Sequence, residues 1–325
     1  MPWLSFSVFS IGGLFCCLTE LAHGHSKTLP NPIQANICYN ICHLAYDNNR
    51  CVVICIVEMA TIREWIRDQE ITGHSSFSME DVQKAFPELS NQVIQNNLVR
   101  LKQEKRIQSV YRRYYVTIPV KYVARGSVPP AFYVADLMRH LKRPYYFGLL
   151  TAARVWGASH QAALLDYVVT TYPQLNASSE LNGAIRWCYR SDISSEFLVE
   201  RKDENGRVLY SSPELTAVEL VQYEHQCGGL SNVATVLAEL AEQLDFTKLP
   251  SSFFVRCKGI VLQRLGYILD EVLGETAVAE ALHRRWLDLC KPTRGRLSAR
   301  SQSPVTVRNA RWHIGINAEV EVDDL

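Results

Sequence analysis

A proline turn between two capped helices restricts the fold of this sequence more than any other feature. Pro87 cannot continue a helix without losing a backbone hydrogen bond, so residues 86–89 are predicted to form a turn. Ser78 and Ser90 each precede an apolar helical pattern, and a serine at that position caps the free amides of a helix start. The sequence therefore predicts one helix after Ser78 and a second that runs from Ser90 to about Lys105.

The flanking segments extend this pattern into a larger motif. Residues 61–69 carry apolar side chains at helical spacing. Residues 107–110 and 114–117 are rich in β-branched and aromatic side chains, which predicts two short strands. Three helices with a tight turn before the last, followed by a hairpin, follow one another in the order of a winged helix-turn-helix.

Positive charge is concentrated in the same region. Residues 84–143 contain twelve basic and three acidic side chains, a net charge of +9 in a chain whose total is +1. Such an asymmetry is typical of a surface that binds a polyanion. A small fold of this kind can also serve as a protein-interaction module, which is the alternative.

The helix after Ser90 is predicted to have two different flanks. Its apolar flank is formed by Val93, Ile94, Leu98 and Leu101, and a polar flank lies opposite. The polar flank carries amides that can pair with base edges, and cations that can pair with phosphates follow it. Two arginines lie at the predicted hairpin tip, where a wing would touch the DNA backbone or the minor groove. The predicted DNA-binding residues are Ser90, Asn91, Gln92, Gln95, Asn96, Arg100, Lys102, Lys105, Arg106, Arg112 and Arg113.

Composition is that of a soluble globular protein long enough for two cores: 325 residues, 47% hydrophobic and 21% charged. Six of the ten cysteines precede Met59 and the other four are widely spread, which favours a reducing, cytoplasmic compartment over a disulfide framework. The apolar run at residues 4–18 is too short for a membrane span, and no basic residue precedes it as in a signal peptide.

The first 58 residues differ from the rest, and we interpret them as a non-native or disordered extension that precedes a natural start at Met59. They contain candidate metal ligands, but no pair has the Cys-x-x-Cys spacing of a strong zinc motif, so no metal site is predicted. These candidates are His23, His25, Cys38, Cys42 and His43.

The remaining chain predicts a mixed α+β domain at residues 129–325, joined to a DNA-binding domain at residues 59–128 by a stiff Val-Pro-Pro segment. Strands are predicted at 166–171, 184–189, 196–201 and 207–210, with a turn at Asn205-Gly206. Helices are predicted at 132–141, 145–157, 215–224, 230–244, 253–273 and 275–289, before an alternating tail at 305–308 and 311–320.

Three segments of this domain carry a family resemblance: residues 144–158 (PYYFGLLTAARVWGA), 211–220 (SSPELTAVEL) and 228–237 (GGLSNVATVL). In this order behind a winged helix, they resemble the AbiEi antitoxins of bacterial toxin–antitoxin systems, over roughly residues 59–325. The resemblance implies a winged helix that represses its own operon and a larger domain that opposes a nucleotidyltransferase-like toxin. It also implies operator DNA and that toxin as partners, a possible homodimer on DNA, and no cofactor.

Two other functions are weighed against the antitoxin. The first is a winged-helix regulator with no toxin partner. The second is a metal-dependent nuclease built on Asp166, Glu196, Glu200 and Lys202, although carboxylates on strands are more often surface charge. Phosphate-loop, zincin and serine-hydrolase motifs are missing from the sequence, so we expect no enzyme.

The later helices are expected to present an acidic surface that suits a basic partner. The residues that predict this surface are Glu219, Glu224, Glu239, Glu242 and Asp245.

Overall fold

The computed structural model describes residues 8–11, 14–19, 38–47, 50–59, 61–158, 165–175, 184–203 and 206–322. The described residues form helices and several sheets, which confirms the predicted α+β class. The chain divides into two compact units, residues 1–107 and 108–325. The sequence-based domain boundary at residues 128 and 129 stays a prediction. Within the described residues, no helix is long and apolar enough to cross a membrane.

The first strands belong to an antiparallel sheet with the order β1-β2-β4-β3. Their bounds are β1 Val8–Ile11, β2 Leu14–Thr19, β3 Cys38–Asp47 and β4 Arg50–Met59. The prediction that residues 1–58 are an extension stays a prediction. His23 and His25 lie outside the described residues.

The next helices begin at reciprocal capping boxes. Helix α1 (Ile62–Ile71) is capped by Thr61, whose backbone N–H donates to Glu64 Oε2 at 2.7 Å. After strand β5 (Ser76–Ser78), helix α2 (Met79–Ala85) starts at Ser78, whose hydroxyl oxygen accepts from the backbone N–H of Asp81 at 3.2 Å. The predicted Ser78 cap is therefore confirmed, and Asp81 completes a capping box with it.

Helix α3 (Asn91–Gln103) begins at the predicted cap, where the Ser90 hydroxyl accepts from the N–H of Val93 at 3.3 Å. Its apolar side is formed by Ile94, Leu98 and Leu101, all buried. Val93 was expected on this side but is 43% exposed. The helix ends in a Schellman motif, in which Lys105 has a left-handed φ of 54° and the N–H of Arg106 bonds to the Leu101 carbonyl.

The predicted hairpin strands are β6 (Ile107–Tyr111) and β7 (Tyr114–Thr117), which are neighbours in a small sheet. Helices α4 (Val120–Val123) and α5 (Val134–His140) follow. Tyr114 and Val116 belong to one buried cluster with Leu137 and Met138. The hairpin and α5 therefore share a hydrophobic core.

A mixed five-stranded sheet lies at the centre of the second unit, with the order β10-β9-β8-β12-β11. β9 and β10 run parallel, as do β8 and β12, while β8–β9 and β11–β12 are antiparallel. The prediction of a helix over residues 145–157 is wrong for its first three residues, because these form strand β8, which lies between β9 and β12. The strands are β8 Tyr145–Phe147, β9 Asp166–Thr171, β10 Ile185–Arg190, β11 Leu198–Asp203 and β12 Gly206–Ser211. Asn205, in the predicted turn, lies outside the described residues.

The helices of the second unit bury a continuous core that contains Trp286 and Trp312, whose stacked rings lie 5.9 Å apart. The single helix predicted over residues 253–273 is wrong: Cys257 is extended and separates two helices, and a π-helical turn at Ile268–Val272 follows. The helices are α6 Leu149–Val155, α7 Pro213–Gln222, α8 Leu230–Leu240, α9 Ser251–Arg256, α10 Gly259–Tyr267 and α11 Thr276–Leu289. A last sheet, with the order β13-β15-β14, is formed by β13 Gly295–Arg296, β14 Val307–Asn309 and β15 Ile314–Ile316.

Candidate functional site

Helix α3 presents a row of exposed amides along one flank. Gln92, Gln95 and Asn96 are all exposed, and the Gln92 amide donates to Asn96 Oδ1 at 3.0 Å. Val99, one turn further along this flank, is 53% exposed. Amide donors and acceptors beside an apolar group are the set of contacts with which a helix reads base edges in a major groove. Asn91, at the margin of the row, bonds to Gln83 of α2.

The residues predicted to contact phosphates around the end of α3 differ in their exposure and in their ion pairs within the protein. Arg100 pairs with Glu104 at 3.2 Å, and the same carboxylate also bonds to Arg63. Because both arginine side chains are more than half exposed, these pairs contribute little to stability and are easily exchanged for a phosphate. Lys105 and Arg106 are exposed in the turn after the helix, whereas Lys102 is half-buried.

Arg112 and Arg113 form the exposed tip of the β6–β7 hairpin, as the sequence predicts. Arg113 has a φ of 56°, a left-handed conformation that costs a residue with a side chain about 1 kcal/mol relative to glycine. Two other members of the basic stretch are committed to internal contacts. Arg139 pairs with Asp136 at 2.5 Å, and Arg143 donates to the Thr171 carbonyl at 2.6 Å.

The second unit contains a buried charge cluster that the sequence did not reveal. The Glu219 side chain on α7 has no exposed surface, and its carboxylate accepts from Arg190 Nη1 at 3.1 Å and from the Tyr146 hydroxyl. The backbone N–H of Leu149 also points to this carboxylate, at 3.4 Å. These contacts join β8, β10 and the start of α6 to α7 through one side chain. Gly148 makes room for it, because an added Cβ there would lie 2.6 Å from Glu219 Oε2.

Burial controls the ionisation of this cluster. Loss of water raises the pKa of Glu219 above its usual range, against the opposing effect of Arg190. Burial, and then the Glu219 charge, raise the pKa of Tyr146, so its hydroxyl keeps its proton. For Arg190, burial alone would lower the pKa, but Tyr146 and Glu219 raise it above its ordinary value. Tyr146 and Arg190 therefore both donate hydrogen bonds to the carboxylate.

Tyr146 and Arg190 of this cluster line a cleft of about 260 Å³. The rest of the lining is mixed: Phe197 and Phe253 are apolar, while Asp192 and Arg256 bond to each other. Burial raises the pKa of the Cys257 thiol to about 12, so it is neutral near pH 7 and is not an activated nucleophile.

The expected acidic surface on the later helices is wrong for two of its five residues. Glu219 and Glu224 are buried, at 0% and 7% exposure. Asp245 is part-buried and pairs with Lys248 at 2.7 Å, while Glu242 is exposed. One buried Glu239 oxygen is among the described atoms without a hydrogen bond, although the residue has another interaction. The sequence pattern failed because it reads every carboxylate as solvated, whereas Glu219 on α7 and Glu224 just after this helix are buried.

The carboxylates weighed for a nuclease are not brought together. Asp166 on β9 pairs with Arg154 at 2.9 Å, and Glu200 on β11 pairs with Arg207 at 3.4 Å. β8 and β12 lie between these two strands, a separation of roughly 14 Å at the usual strand spacing. The other two candidates are also apart: Glu196 bonds to Ser252, and Lys202 is exposed on β11.

Part of the second unit is similar to a known protein family. Residues 146–271 match the family model of the AbiEi antitoxin C-terminal domain. The match supports the resemblance to an AbiEi-type antitoxin that the sequence predicts, over these residues. Tyr146, Arg190 and Glu219 all lie within the matched residues.

One solved structure shows a similar fold. The crystal structure of the RV2827C protein from Mycobacterium tuberculosis matches with a TM-score of 0.57 and 11% sequence identity, and the match covers 78% of this chain and 89% of that chain. At this identity the likeness shows the fold alone. No curated protein matches the chain significantly.

Proposed function

We propose that this protein is a cytoplasmic antitoxin that represses its own operon through a winged helix-turn-helix and counteracts a nucleotidyltransferase-like toxin. The match of residues 146–271 to the AbiEi antitoxin domain is the observation that carries the proposal. We assign no catalytic role to the protein and no cofactor. Binding, rather than chemistry, performs both functions.

The chain order of α1, β5, α2, α3, β6 and β7 supports the winged helix. On this proposal the Gln92, Gln95 and Asn96 side chains contact base edges, and Ser90 and Asn91 contact the backbone at the helix start. The basic residues neutralise phosphates at the helix end and the hairpin tip: Arg100, Lys102, Lys105, Arg106, Arg112 and Arg113. A homodimer would present two such helices to an operator with twofold symmetry.

Replacing one amide at a time tests the DNA assignment. Gln92→Ala or Asn96→Ala should cost about 1–3 kcal/mol on the operator and little on random duplex, since base-edge contacts carry discrimination. Asn97→Ala is the matched control, because Asn97 is exposed on another side of α3 and bonds to the Val93 carbonyl at 2.9 Å. Titration of both duplexes should separate the three variants. Equal losses for all three would contradict the assignment of this flank.

Co-expression tests the antitoxin assignment. The gene beside this one should encode a nucleotidyltransferase-like protein that arrests growth when expressed alone, and the full chain should restore growth. A neighbour with no toxic effect would instead favour a plain winged-helix regulator, the alternative that the exposed amide row of α3 supports by itself.

A further inference from the structure

A second cleft lies in the second unit, between the turn that joins α7 to α8 and the segments that follow β13 and β15. Its volume is about 240 Å³, and its lining includes His225 and three charged residues, Glu224, Arg300 and Glu319. None of these residues belongs to the cluster around Glu219. Sites for drug-sized ligands usually measure about 300–1,000 Å³, so the occupant of this cleft has to be smaller.

Hydrogen bonds hold the walls of the cleft in place. The backbone N–H of Ser298 donates to Asn317 Oδ1 at 3.0 Å, and the Asn317 amide donates to the Ser298 carbonyl at 3.1 Å. Asn317 is only 3% exposed, so this side of the cleft is anchored in the core. The N–H of Glu321 donates to the Ser231 hydroxyl at 3.3 Å, which ties the end of the chain to the start of α8. The cleft is therefore formed before any ligand enters it.

Glu224 contributes a buried carboxylate to this cleft that lacks a donor. The residue is 7% exposed, and its Oε2 is among the described buried atoms without a hydrogen bond. Its position is fixed, because its backbone carbonyl accepts from the N–H of Gly229 at 2.8 Å. A buried charged group without a partner destabilises a fold, so its presence in a native structure calls for an explanation.

Arg264 is influenced by the Glu224 charge but is bonded elsewhere. Burial lowers the pKa of Arg264, and the negative charge of Glu224 opposes this effect. The Arg264 Nε donates to the Arg296 carbonyl at 2.9 Å. Within the part of the chain that the structure describes, Arg264 and Glu224 form no ion pair. The Glu224 carboxylate therefore still lacks a donor that a ligand in the cleft would supply.

The exposed part of the lining carries charges of both signs. Arg300 and Glu319 are both exposed, and neither forms an ion pair with another described residue. Leu230 and Ala318 add apolar surface to the cleft. No three His, Cys, Asp or Glu side chains among the described residues are grouped so as to hold a metal ion. The lining therefore suits a small organic molecule with an ammonium group, a carboxylate and an apolar part.

We propose that this cleft binds a free amino acid as its zwitterion. Glu224 accepts hydrogen bonds from the α-ammonium group, and the negative charge of Glu319 favours the same group. Arg300 pairs with the α-carboxylate, since a guanidinium matches both oxygens of a carboxylate at once. Leu230 and Ala318 contact the side chain of the amino acid. The proposal is independent of the proposed function, because it uses neither α3 nor a toxin.

Three compounds that differ by one group test the chemistry of the ligand. The full chain is titrated calorimetrically with L-norleucine, with pentylamine, which lacks the carboxylate, and with hexanoate, which lacks the ammonium group. Each truncated compound should bind at least about tenfold more weakly than norleucine, because a charge-assisted hydrogen bond is lost. Equal binding of pentylamine or hexanoate overturns the proposal. So does a failure of norleucine and of all twenty standard amino acids to saturate the protein at about 10 mM.

Two substitutions test the location of the site. Glu224→Gln and Arg300→Gln should each weaken norleucine binding by about tenfold or more. Glu242→Gln and Arg294→Gln are the matched controls, since they remove the same charges from exposed residues that do not line the cleft. Glu224→Gln should also leave the Tm of the ligand-free protein unchanged or raised, because a buried neutral amide costs less than a buried unpaired charge. Wild-type binding by either cleft variant, or a lowered Tm for Glu224→Gln, overturns the proposal.

A fourth compound separates a free amino acid from a protein partner. N-acetyl-L-lysine methylamide keeps the side-chain ammonium group but has no charged α-groups. If it binds more tightly than free L-lysine, the cleft holds a basic side chain of another protein and the proposal is overturned. The operator titration of Gln92→Ala and the growth rescue involve other residues, so their failure and the failure of this proposal are distinguishable.

Discussion

Arg190 Nη1 lies 3.1 Å from Oε1 of Glu219, a carboxylate with no exposed surface within the residues that match the AbiEi antitoxin domain. The pair connects strand β10 to helix α7, and the Tyr146 hydroxyl adds a third member. A buried ion pair contributes little net stability when intact, but losing one partner leaves an uncompensated charge. Losing one partner is therefore expected to cost much more than losing both.

Replacing Arg190 alone should strongly lower the free energy of unfolding. Arg190→Met is expected to lower the free energy of unfolding by about 3–5 kcal/mol, because Glu219 would remain buried without its cation. Combining it with Glu219→Leu should recover most of that loss. Arg256→Met breaks the exposed pair with Asp192 and should cost less than about 1 kcal/mol. Urea unfolding of the four proteins checks this, and equal losses for Arg190→Met and Arg256→Met would contradict the buried pair.

Glu219 also predicts a pH dependence of stability. Its folded pKa is raised above its ordinary value of 4.5 by burial, so the native state binds a proton more readily than the unfolded state. This favourable contribution is fully present below the unfolded pKa and is lost as the pH rises through the folded pKa. The stability of the wild type relative to Glu219→Gln should therefore increase as the pH falls from 7 towards 4.5. Chemical unfolding across that range measures it, and a relative stability that decreases on acidification would show that the pKa is lowered.

Gly148 packs so closely against the Glu219 carboxylate that a side chain at this position would not fit. Gly148→Ala should destabilise the protein by about 1–3 kcal/mol, because the new Cβ would lie 2.6 Å from Glu219 Oε2 and 3.0 Å from Val169. Gly259→Ala is the control, since an added Cβ at this first residue of α10 meets nothing within 4 Å. That change should be neutral or slightly stabilising. Thermal unfolding of both variants measures this. A loss of stability for Gly148→Ala alone supports the packing explanation, whereas equal losses would indicate a general effect of replacing glycine.

Two predicted phosphate contacts can be removed without harming the fold. Lys105 and Arg113 have φ values of 54° and 56°, so glycine at either position should raise the stability by about 0.5–1 kcal/mol. Each change should nevertheless lower the salt slope of DNA binding by about 0.9. Arg106→Gly removes the same charge from a residue without a left-handed φ, and it should not stabilise. A Lys105→Gly protein that is more stable but binds DNA as tightly as the wild type would remove Lys105 from the interface.

Local signals in the sequence predicted the helices and the hairpin of residues 61–117 well, since the caps at Ser78 and Ser90 and the turn at Pro87 act over a few residues. Strand β8 and the burial of Glu219 were not predicted, because both depend on packing between residues that are distant in sequence. Tyr145–Phe147 is a strand because β9 and β12 pair with it, and these partners are distant in sequence. Burial of Glu219 was equally beyond prediction, because its partners Tyr146 and Arg190 lie 73 and 29 residues away.

The central claim is that toxin neutralisation belongs to the antitoxin domain and is separate from DNA binding. Growth rescue by a chain that combines Gln92→Ala, Asn96→Ala, Lys105→Gly and Arg113→Gly tests it most directly, with the neighbouring toxin expressed from an independent promoter. We expect this chain to restore growth as fully as the wild type while it fails to repress a reporter driven by the operon's own promoter. Rescue that is lost together with repression would contradict the claim and would leave a protein that acts through DNA alone.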